Sequence, residues 1–165
     1  MDDKNKSVAY HEAGHAIVAY YLNVPFEYVS IIPNEEYSGI VKFLEESFKS
    51  RDMDIFMPYK NFVEMENHVL IGLAGAAAEK VFKLDHINPD STKRDFNSAG
   101  NLIDYFSGSY EETQKLVDIF WKKCELICRC DDVHELINDL ALDLLEKTKL
   151  TYEAVLYLIK GNLNE

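Results

Sequence analysis

The stretch His11-Glu12-Ala13-Gly14-His15 has the pattern H-E-x-x-H and lies in a segment whose residues predict a helix from about Lys4 to Leu22. In a helix, a spacing of four residues places the two imidazoles on one face, one turn apart. Two nitrogen atoms in that arrangement can bind a single zinc ion. Glu12 lies about 100° around the helix from His11. It can still reach a water molecule at the open position of the metal, as a general base does.

The helix that carries this pattern is apolar on nearly every side from Ala13 to Leu22, which is typical of a buried helix. Burying two histidines and a glutamate without partners would cost about 2–7 kcal/mol for each group. A bound metal would offset that cost, so we favour a zinc site over a chance match on an amphipathic helix. Gly14 costs about 1 kcal/mol relative to alanine inside a helix, which predicts either close backbone packing or access for a ligand.

Length and composition indicate one globular domain. The chain has 165 residues, of which 47% are hydrophobic and 28% charged, and its net charge is -12. This acidic balance argues against a non-specific nucleic-acid partner and against docking on anionic lipid. The longest apolar run, Val69 to Ala78, is too short to span a bilayer. Because the first residues do not resemble a signal peptide, we expect a cytoplasmic protein.

Three cysteines, Cys124, Cys128 and Cys130, lie close together in the second half of the chain. An odd number of cysteines without a secretion signal indicates reduced thiols. Cys124, Cys128 and His134 could form a second metal cluster, but their spacing matches no common zinc pattern. We therefore interpret them as buried free thiols on a helix.

The remaining pattern predicts a mainly α (α+β) fold with a small β-hairpin or sheet. Strands are expected at Phe26 to Ile32 and Tyr37 to Phe43, with Gly39 marking a bulge or a close backbone approach. The free edge of such a sheet can pair with an extended peptide. Leu44 to Met57 is expected to be an irregular connection, with a short helix at most. Further helices are predicted at Tyr59 to Phe82, Lys93 to Phe106, Tyr110 to Arg129, Asp132 to Lys147 and Thr151 to Lys160.

A catalytic zinc usually has a third protein ligand, which the H-E-x-x-H pattern does not contain. The residues that follow the first helix offer none, so the ligand must come from further along the chain. Five residues are candidates: Asp95, Asp104, Glu79, His68 and His86. Asp95 is attractive because we expect it in the first turn of a helix, after the cap candidates Asp90, Ser91 and Thr92. Glu79 could instead accept a hydrogen bond from a buried donor, or hold a metal-binding side chain in position without binding the metal itself.

Several stretches resemble the FtsH-type zinc metallopeptidases, the protease domain of membrane-anchored AAA+ proteases. The resemblance spans nearly the whole chain, and its stretches follow the order found in that family. They are Val8-Ala-Tyr-His-Glu-Ala-Gly-His-Ala16, Tyr28-Val-Ser-Ile-Ile-Pro33, Gly72-Leu-Ala-Gly-Ala-Ala-Ala-Glu79, Ser91-Thr-Lys-Arg-Asp95 with Ala99, and Leu136 to Leu150. We therefore expect a single FtsH-like peptidase domain over residues 1–165.

The resemblance implies zinc held by His11, His15 and Asp95, with Glu12 as the catalytic base. It also implies that the strand from Gly39 through Ile40 and Val41 to Phe43 receives the backbone of a polypeptide substrate, and that the chain forms a homo-oligomer.

Some positions depart from the family. Ala76 stands where the family usually has arginine, and Lys93-Arg94 precede Asp95 where it usually has Thr-Gly. The sequence contains no G-x-x-x-x-G-K-[ST] stretch for ATP and no membrane anchor. We therefore expect any unfolding of substrate to come from a separate ATPase partner.

The sequence is consistent with three functions. The first is a zinc-dependent endopeptidase acting on unfolded or flexible polypeptide. The second is a non-catalytic, zinc-bearing module that binds or scaffolds protein, against which the intact Glu12 argues. The third is a zinc hydrolase of another substrate class, for which the sequence gives no positive feature.

Overall fold

This computed structural model describes residues 3–44, 58–84 and 89–162. These residues form six helices and three short strands, joined by loops. The mainly α (α+β) class predicted from the sequence is confirmed. In chain order the elements are α1 (Asp3–Tyr21), β1 (Phe26–Ser30), β2 (Ile40–Phe43), α2 (Pro58–Val81), α3 (Pro89–Asp104), α4 (Tyr110–Arg129), α5 (Asp131–Lys147), β3 (Lys149–Thr151) and α6 (Tyr152–Asn162).

Helix α1 lies at the centre of the molecule, packed between α2 and α5 and touching the sheet. It is buried from Ser7 to Gly14 and again from Ala16 to Ala19. The burial predicted from Ala13 to Leu22 therefore holds as far as Ala19, whereas Tyr21 in the last turn is 38% exposed. A methyl group at Gly14 would lie 2.5 Å from the carbonyl oxygen of Ala74 and 2.7 Å from Cβ of Ala78. Gly14 therefore serves close packing of α1 against α2, the first of the two explanations that the sequence left open.

Helices α4 and α5 complete the core. The predicted leucine stripe of α5 is buried at Leu136, Leu140 and Leu144. Cys124 and Cys128 are buried free thiols on α4, as predicted, whereas Cys130 is exposed between α4 and α5. The ring of His134 stacks on Phe82 at a centroid distance of 4.0 Å. Among the described residues, the cysteines and His134 form no group that could hold a metal.

The three strands form one antiparallel sheet in the order β2-β1-β3. The predicted hairpin is present, but its strands are shorter: β1 ends at Ser30 and β2 begins at Ile40. The register irregularity falls between Phe26 and Tyr28 in β1, so Gly39 marks no bulge. Instead it makes the close approach that was the other expectation, because its Cβ would lie 2.7 Å from Cγ of Glu12.

Strand β3 was not predicted, because Lys149 to Thr151 reads as the join between two helices. Helix α5 ends at Lys147 and is capped by Thr148, whose φ of 62° lies in the left-handed region. This turn sends the chain back along β1, where the carbonyl of Thr148 accepts a hydrogen bond from the backbone N–H of Ile31. The stretch up to Leu150 that resembled a single helix therefore ends in a strand.

Helix α3 begins earlier than predicted, at Pro89, a residue suited to the first helical position. Asp90, Ser91 and Thr92 therefore lie in its first turn and do not precede it as caps.

By contrast, the predicted cap of the last helix is confirmed, since the Thr151 hydroxyl accepts a hydrogen bond from the N–H of Ala154 at 3.3 Å. The irregular connection was predicted for Leu44 to Met57, and all of it except Leu44 lies outside the described residues. His86, a candidate for the third ligand, also lies outside them.

Thr148 gives a test of this turn. A left-handed conformation costs a residue other than glycine about 1–2 kcal/mol, while glycine adds about 0.5–1 kcal/mol of chain entropy to folding. We expect Thr148→Gly to stabilise the protein by up to about 1 kcal/mol, raising the melting temperature by roughly 2–4 °C in a domain of this size. Glu146→Gly, an exposed change inside α5, should lower the melting temperature in the same assay. Equal destabilisation by both variants would contradict the left-handed turn.

Candidate active site

The structure brings together three of the residues singled out in the sequence: His11 and His15 from α1 and Asp95 from α3. The two Nε2 atoms are 3.1 Å apart. Oδ2 of Asp95 lies 3.3 Å from Nε2 of His11 and 3.8 Å from Nε2 of His15. A tetrahedral zinc with bonds of about 2.0–2.1 Å separates its ligand atoms by roughly 3.3 Å. The three donor atoms therefore have the spacing and the chemistry of a zinc site.

The hydrogen bonding of these groups also fits a cation. Nδ1 of His15 lies 2.6 Å from the carbonyl oxygen of Ile71, an acceptor, so Nδ1 carries the proton and the lone pair of the neutral ring is on Nε2. Oδ2 of Asp95 is buried and has no hydrogen-bond partner among the described residues. An unpaired buried oxygen facing two imidazole nitrogens is costly, and a metal ion between the three atoms would remove that cost.

Gly75 on α2 keeps this space open. A methyl group at this position would lie 2.5 Å from Nε2 of His15 and 2.7 Å from Nε2 of His11. No other residue type could stand here without displacing both imidazoles. Gly75 was not among the residues predicted to form the site. One feature of the sequence could have indicated its role: glycine is unfavourable inside a predicted helix unless close packing requires it.

The electrostatics of the two histidines differ. Burial lowers the pKa of His11, but the carboxylates of Asp95 and Glu79 outweigh burial and raise it to about 10. Burial, followed by the charge on His11, lowers the pKa of His15. The negative potential that holds a proton on His11 would equally stabilise a metal cation at the same place.

Glu12 lies beside the three-atom cluster without being part of it. Its side chain is buried, and Gly39 packs directly against it. Burial raises its pKa to about 7, although the charge of His11 and a hydrogen bond from the backbone N–H of Val41 act in the opposite direction. A carboxyl group that titrates near neutral pH suits a general base.

Glu79 lies behind His11 and is only 1% exposed. One of its oxygens, Oε1, accepts a hydrogen bond of 2.5 Å from the hydroxyl of Ser7. The other oxygen, Oε2, lies 3.6 Å from Nδ1 of His11, and neither atom has a hydrogen-bond partner within the part of the chain that the structure describes. This geometry agrees with both interpretations of Glu79, as the partner of a buried donor and as a group that orients a ligand.

The other candidates for a third ligand lie elsewhere. Asp104, at the end of α3, accepts a hydrogen bond of 3.1 Å from the Thr113 hydroxyl. His68 lines the same cleft as the cluster but is not one of the three residues whose donor atoms converge. Asp95 itself lies in the second turn of α3, because that helix begins at Pro89 and so earlier than predicted.

A cleft of about 860 Å³ opens over the cluster. One side is formed by β2 and the loop before it, and the other by α2 and α3. Gly39, Ile40 and Val41 all line the cleft, although Gly39 lies just before β2. Strand β2 is an edge of the sheet, so its outer side faces away from β1. Across the cleft mouth, the guanidinium of Arg94 donates to the carbonyl oxygen of Glu36 at 3.3 Å.

No helix among the described residues is both long and apolar enough to cross a membrane.

Comparison with known proteins adds independent information. Residues 1–123 match the model of peptidase family M41. The ATP-dependent zinc metalloprotease YME1L1 of Rattus norvegicus is 30% identical over 119 residues, which is 70% of this chain and 16% of that protein. The chloroplastic ATP-dependent zinc metalloprotease FTSH of Medicago sativa is 34% identical over 94 residues, 52% of this chain and 12% of that protein. The chain thus spans less than a fifth of the length of these relatives.

Proposed function

The chain belongs to peptidase family M41, and from this premise we propose that it is a zinc-dependent endopeptidase acting on unfolded or flexible polypeptide. One observation carries the proposal: Nε2 of His11, Nε2 of His15 and Oδ2 of Asp95 converge at the base of a cleft, with the buried Glu12 beside them. Two nitrogens, one carboxylate oxygen and a neighbouring carboxyl group are the donor set and base of a zinc peptidase.

In this proposal His11, His15 and Asp95 hold the zinc ion. When bound, zinc supplies Lewis-acid chemistry that polarises the scissile carbonyl and acidifies the attacking water. Glu12 accepts the proton of that water on its carboxylate and then donates it to the leaving amine. The N–H of Val41 holds the Glu12 carboxylate in place during this transfer. Ile71 holds the ring of His15 through Nδ1, so that Nε2 faces the cleft.

We propose that the substrate binds in extended form along β2. The outer edge of β2, on which no strand of the described residues pairs, lines the cleft together with the preceding Gly39, so a peptide added there as a strand would pass the cluster. Only a segment without its own secondary structure offers free backbone groups for such pairing. This is the reason for naming unfolded or flexible polypeptide as the substrate class.

The test is cleavage of casein by the zinc-loaded protein. We expect cleavage that a chelator abolishes and that stoichiometric zinc restores, with the metal content measured by mass spectrometry. Bound zinc without cleavage of casein or any other unfolded protein would contradict the endopeptidase function and favour a zinc-bearing binding module.

We further propose that an ATPase delivers substrate to this domain and that the domain works as a homo-oligomer. The relatives are named as ATP-dependent, and the 165 residues contain no G-x-x-x-x-G-K-[ST] loop. Size-exclusion chromatography with light scattering tests the oligomer. Cleavage of a stably folded protein by this chain alone would contradict the need for an ATPase.

Glu79 gives a prediction about zinc affinity. A carboxylate behind a ligating histidine fixes its tautomer, and loss of such a group typically weakens metal binding by 10–100-fold. We expect Glu79→Gln to weaken zinc binding by about that factor, measured by competition with a chromogenic chelator. Glu66→Gln, which removes a surface ion pair with Lys123, is the matched control and should bind zinc like the parent. Equal affinities in all three proteins would show that Glu79 has no influence on the metal.

A further inference from the structure

Gly39, just before β2, lies directly on helix α1, against Val8 and Glu12. A methyl group at this position would lie 2.7 Å from Cγ1 of Val8, 2.7 Å from Cγ of Glu12 and 2.8 Å from Oε1 of the same glutamate. The favourable separation of two non-bonded carbon atoms is about 3.5–4.0 Å. Val8 and Glu12 are four residues apart on one face of α1, so the chain at Gly39 contacts both of them at once.

Backbone conformation does not explain the glycine at position 39. No glycine among the described residues has a positive φ, so a left-handed turn does not require glycine here. The irregularity of the sheet register lies in β1, so a bulge does not require it either. Space is the remaining reason, because only the absence of a side chain lets the chain come this close to α1.

Of the two side chains that Gly39 contacts, that of Glu12 is the one that can move. Valine branches at Cβ and has little rotational freedom, and Val8 is buried. The side chain of Glu12 is longer and unbranched, and it lines the cleft. A methyl group at position 39 would therefore displace the Glu12 carboxyl group, by about 1 Å if carbon contacts are to return to their favourable separation.

We propose that Gly39 is a positioning residue for the proposed base: the bare backbone at this position fixes where the Glu12 carboxyl group lies relative to the three donor atoms. This inference rests on the proposed endopeptidase function. The backbone N–H of Val41 donates to the same carboxylate, so one short segment contacts Glu12 at two points. None of the three atoms nearest to an added methyl group belongs to a proposed zinc ligand, so the change acts on the base and not on the metal.

Gly39 was also predicted to receive the substrate backbone, and the two roles predict different kinetics. Loss of substrate binding alone raises KM, whereas a misplaced base lowers kcat. For zinc-loaded Gly39→Ala acting on fluorescein-labelled casein, we expect kcat to fall about 100-fold, as a misplacement of about 1 Å can cause, with KM changed by less than about threefold. Zinc affinity, measured by competition with a chromogenic chelator, should stay within about threefold of the parent value because the donor atoms do not move.

Truncation of Val8 provides a rescue. In the double variant Gly39→Ala/Val8→Ala the methyl group can move towards position 8 and away from Glu12, so kcat should return to within about 10-fold of the parent value. Val8→Ala alone adds no methyl group at position 39 and should keep kcat within about threefold. Gly100→Ala, whose methyl group meets nothing within 4 Å, is the matched control and should behave like the parent.

Melting temperatures report whether each variant is folded. Should Gly39→Ala prove unstable, the double variant is compared with Val8→Ala, and its kcat should be about three- to tenfold lower.

Crystal structures of the parent and Gly39→Ala provide a readout that does not depend on cleavage. The Glu12 carboxyl group should be displaced by about 1 Å in the variant, with the three donor atoms in their parental positions. A carboxyl group in its parental position, a parental kcat, a rise in KM alone or a loss of zinc affinity would each overturn the inference.

The outcomes separate this inference from the proposed function. A parent that cleaves no unfolded protein would overturn the endopeptidase function. A displaced carboxyl group in Gly39→Ala would then leave the positioning of Glu12 by Gly39 standing.

Discussion

Glu12→Gln should reduce casein hydrolysis by at least about 100-fold while leaving the zinc content unchanged, because a general base typically contributes a factor of 10²–10⁴. Glutamine has the shape of glutamate and can still accept the hydrogen bond from Val41. It cannot take a proton from water at neutral pH. The loss would therefore come from the proton transfer alone, and it should appear in kcat more than in KM.

The matched control for this variant is Glu27→Gln, which makes the same chemical change at an exposed position on β1. It should hydrolyse casein at the parent rate. Zinc content, measured by mass spectrometry, separates loss of the base from loss of the metal. If Glu12→Gln cleaves casein as fast as the parent, the assignment of Glu12 as the base is wrong.

Gly75→Ala should weaken zinc binding by about 100-fold or more. The added methyl group would stand 2.5 Å from Nε2 of His15 and 2.7 Å from Nε2 of His11, closer than van der Waals contact allows. Both imidazoles would have to move by about an ångström, and displacements of that size commonly cost factors of 10² at active sites. Competition with a chromogenic chelator measures the affinity, and casein hydrolysis should fall in parallel.

Gly100→Ala is the control for Gly75→Ala, because its methyl group meets open space. It should bind zinc like the parent and be more stable by up to about 1 kcal/mol, the difference in helix propensity. Parent-like zinc affinity in Gly75→Ala would mean that the imidazoles do not converge under α2 as described.

Local sequence was sufficient for much of the helical architecture. Helix α4 has the predicted bounds because Ser109 caps it: the Ser109 hydroxyl accepts from the N–H of Glu112. The leucine repeat of α5 and the apolar surface of α1 also depend only on neighbours within a few residues. Such signals are short-range, so they can be read without knowing what packs against the helix.

Other features depended on contacts between distant segments. Strand β3 is too short to show a pattern, and it exists because Thr148 turns the chain back along β1. The start of α3 at Pro89 moved Asp95 into the second turn, away from the position that made it attractive as a charged group at a helix start. Among the residues alone, Asp95 was one of five candidates, and the family resemblance singled it out.

The sequence by itself determined that His11 and His15 share one face of a buried helix, with Glu12 beside them, because helical periodicity fixes the relation of residues one turn apart. Only the tertiary structure decided which carboxylate meets them, and that Gly75 leaves the space between the two imidazoles open. Both contacts are between residues of different helices, α1, α2 and α3. The sequence around a residue does not set its distance from a residue on another helix. That distance is set by packing, in which the absence of a side chain at Gly14 and Gly75 lets α2 approach α1 closely enough for the cluster to form.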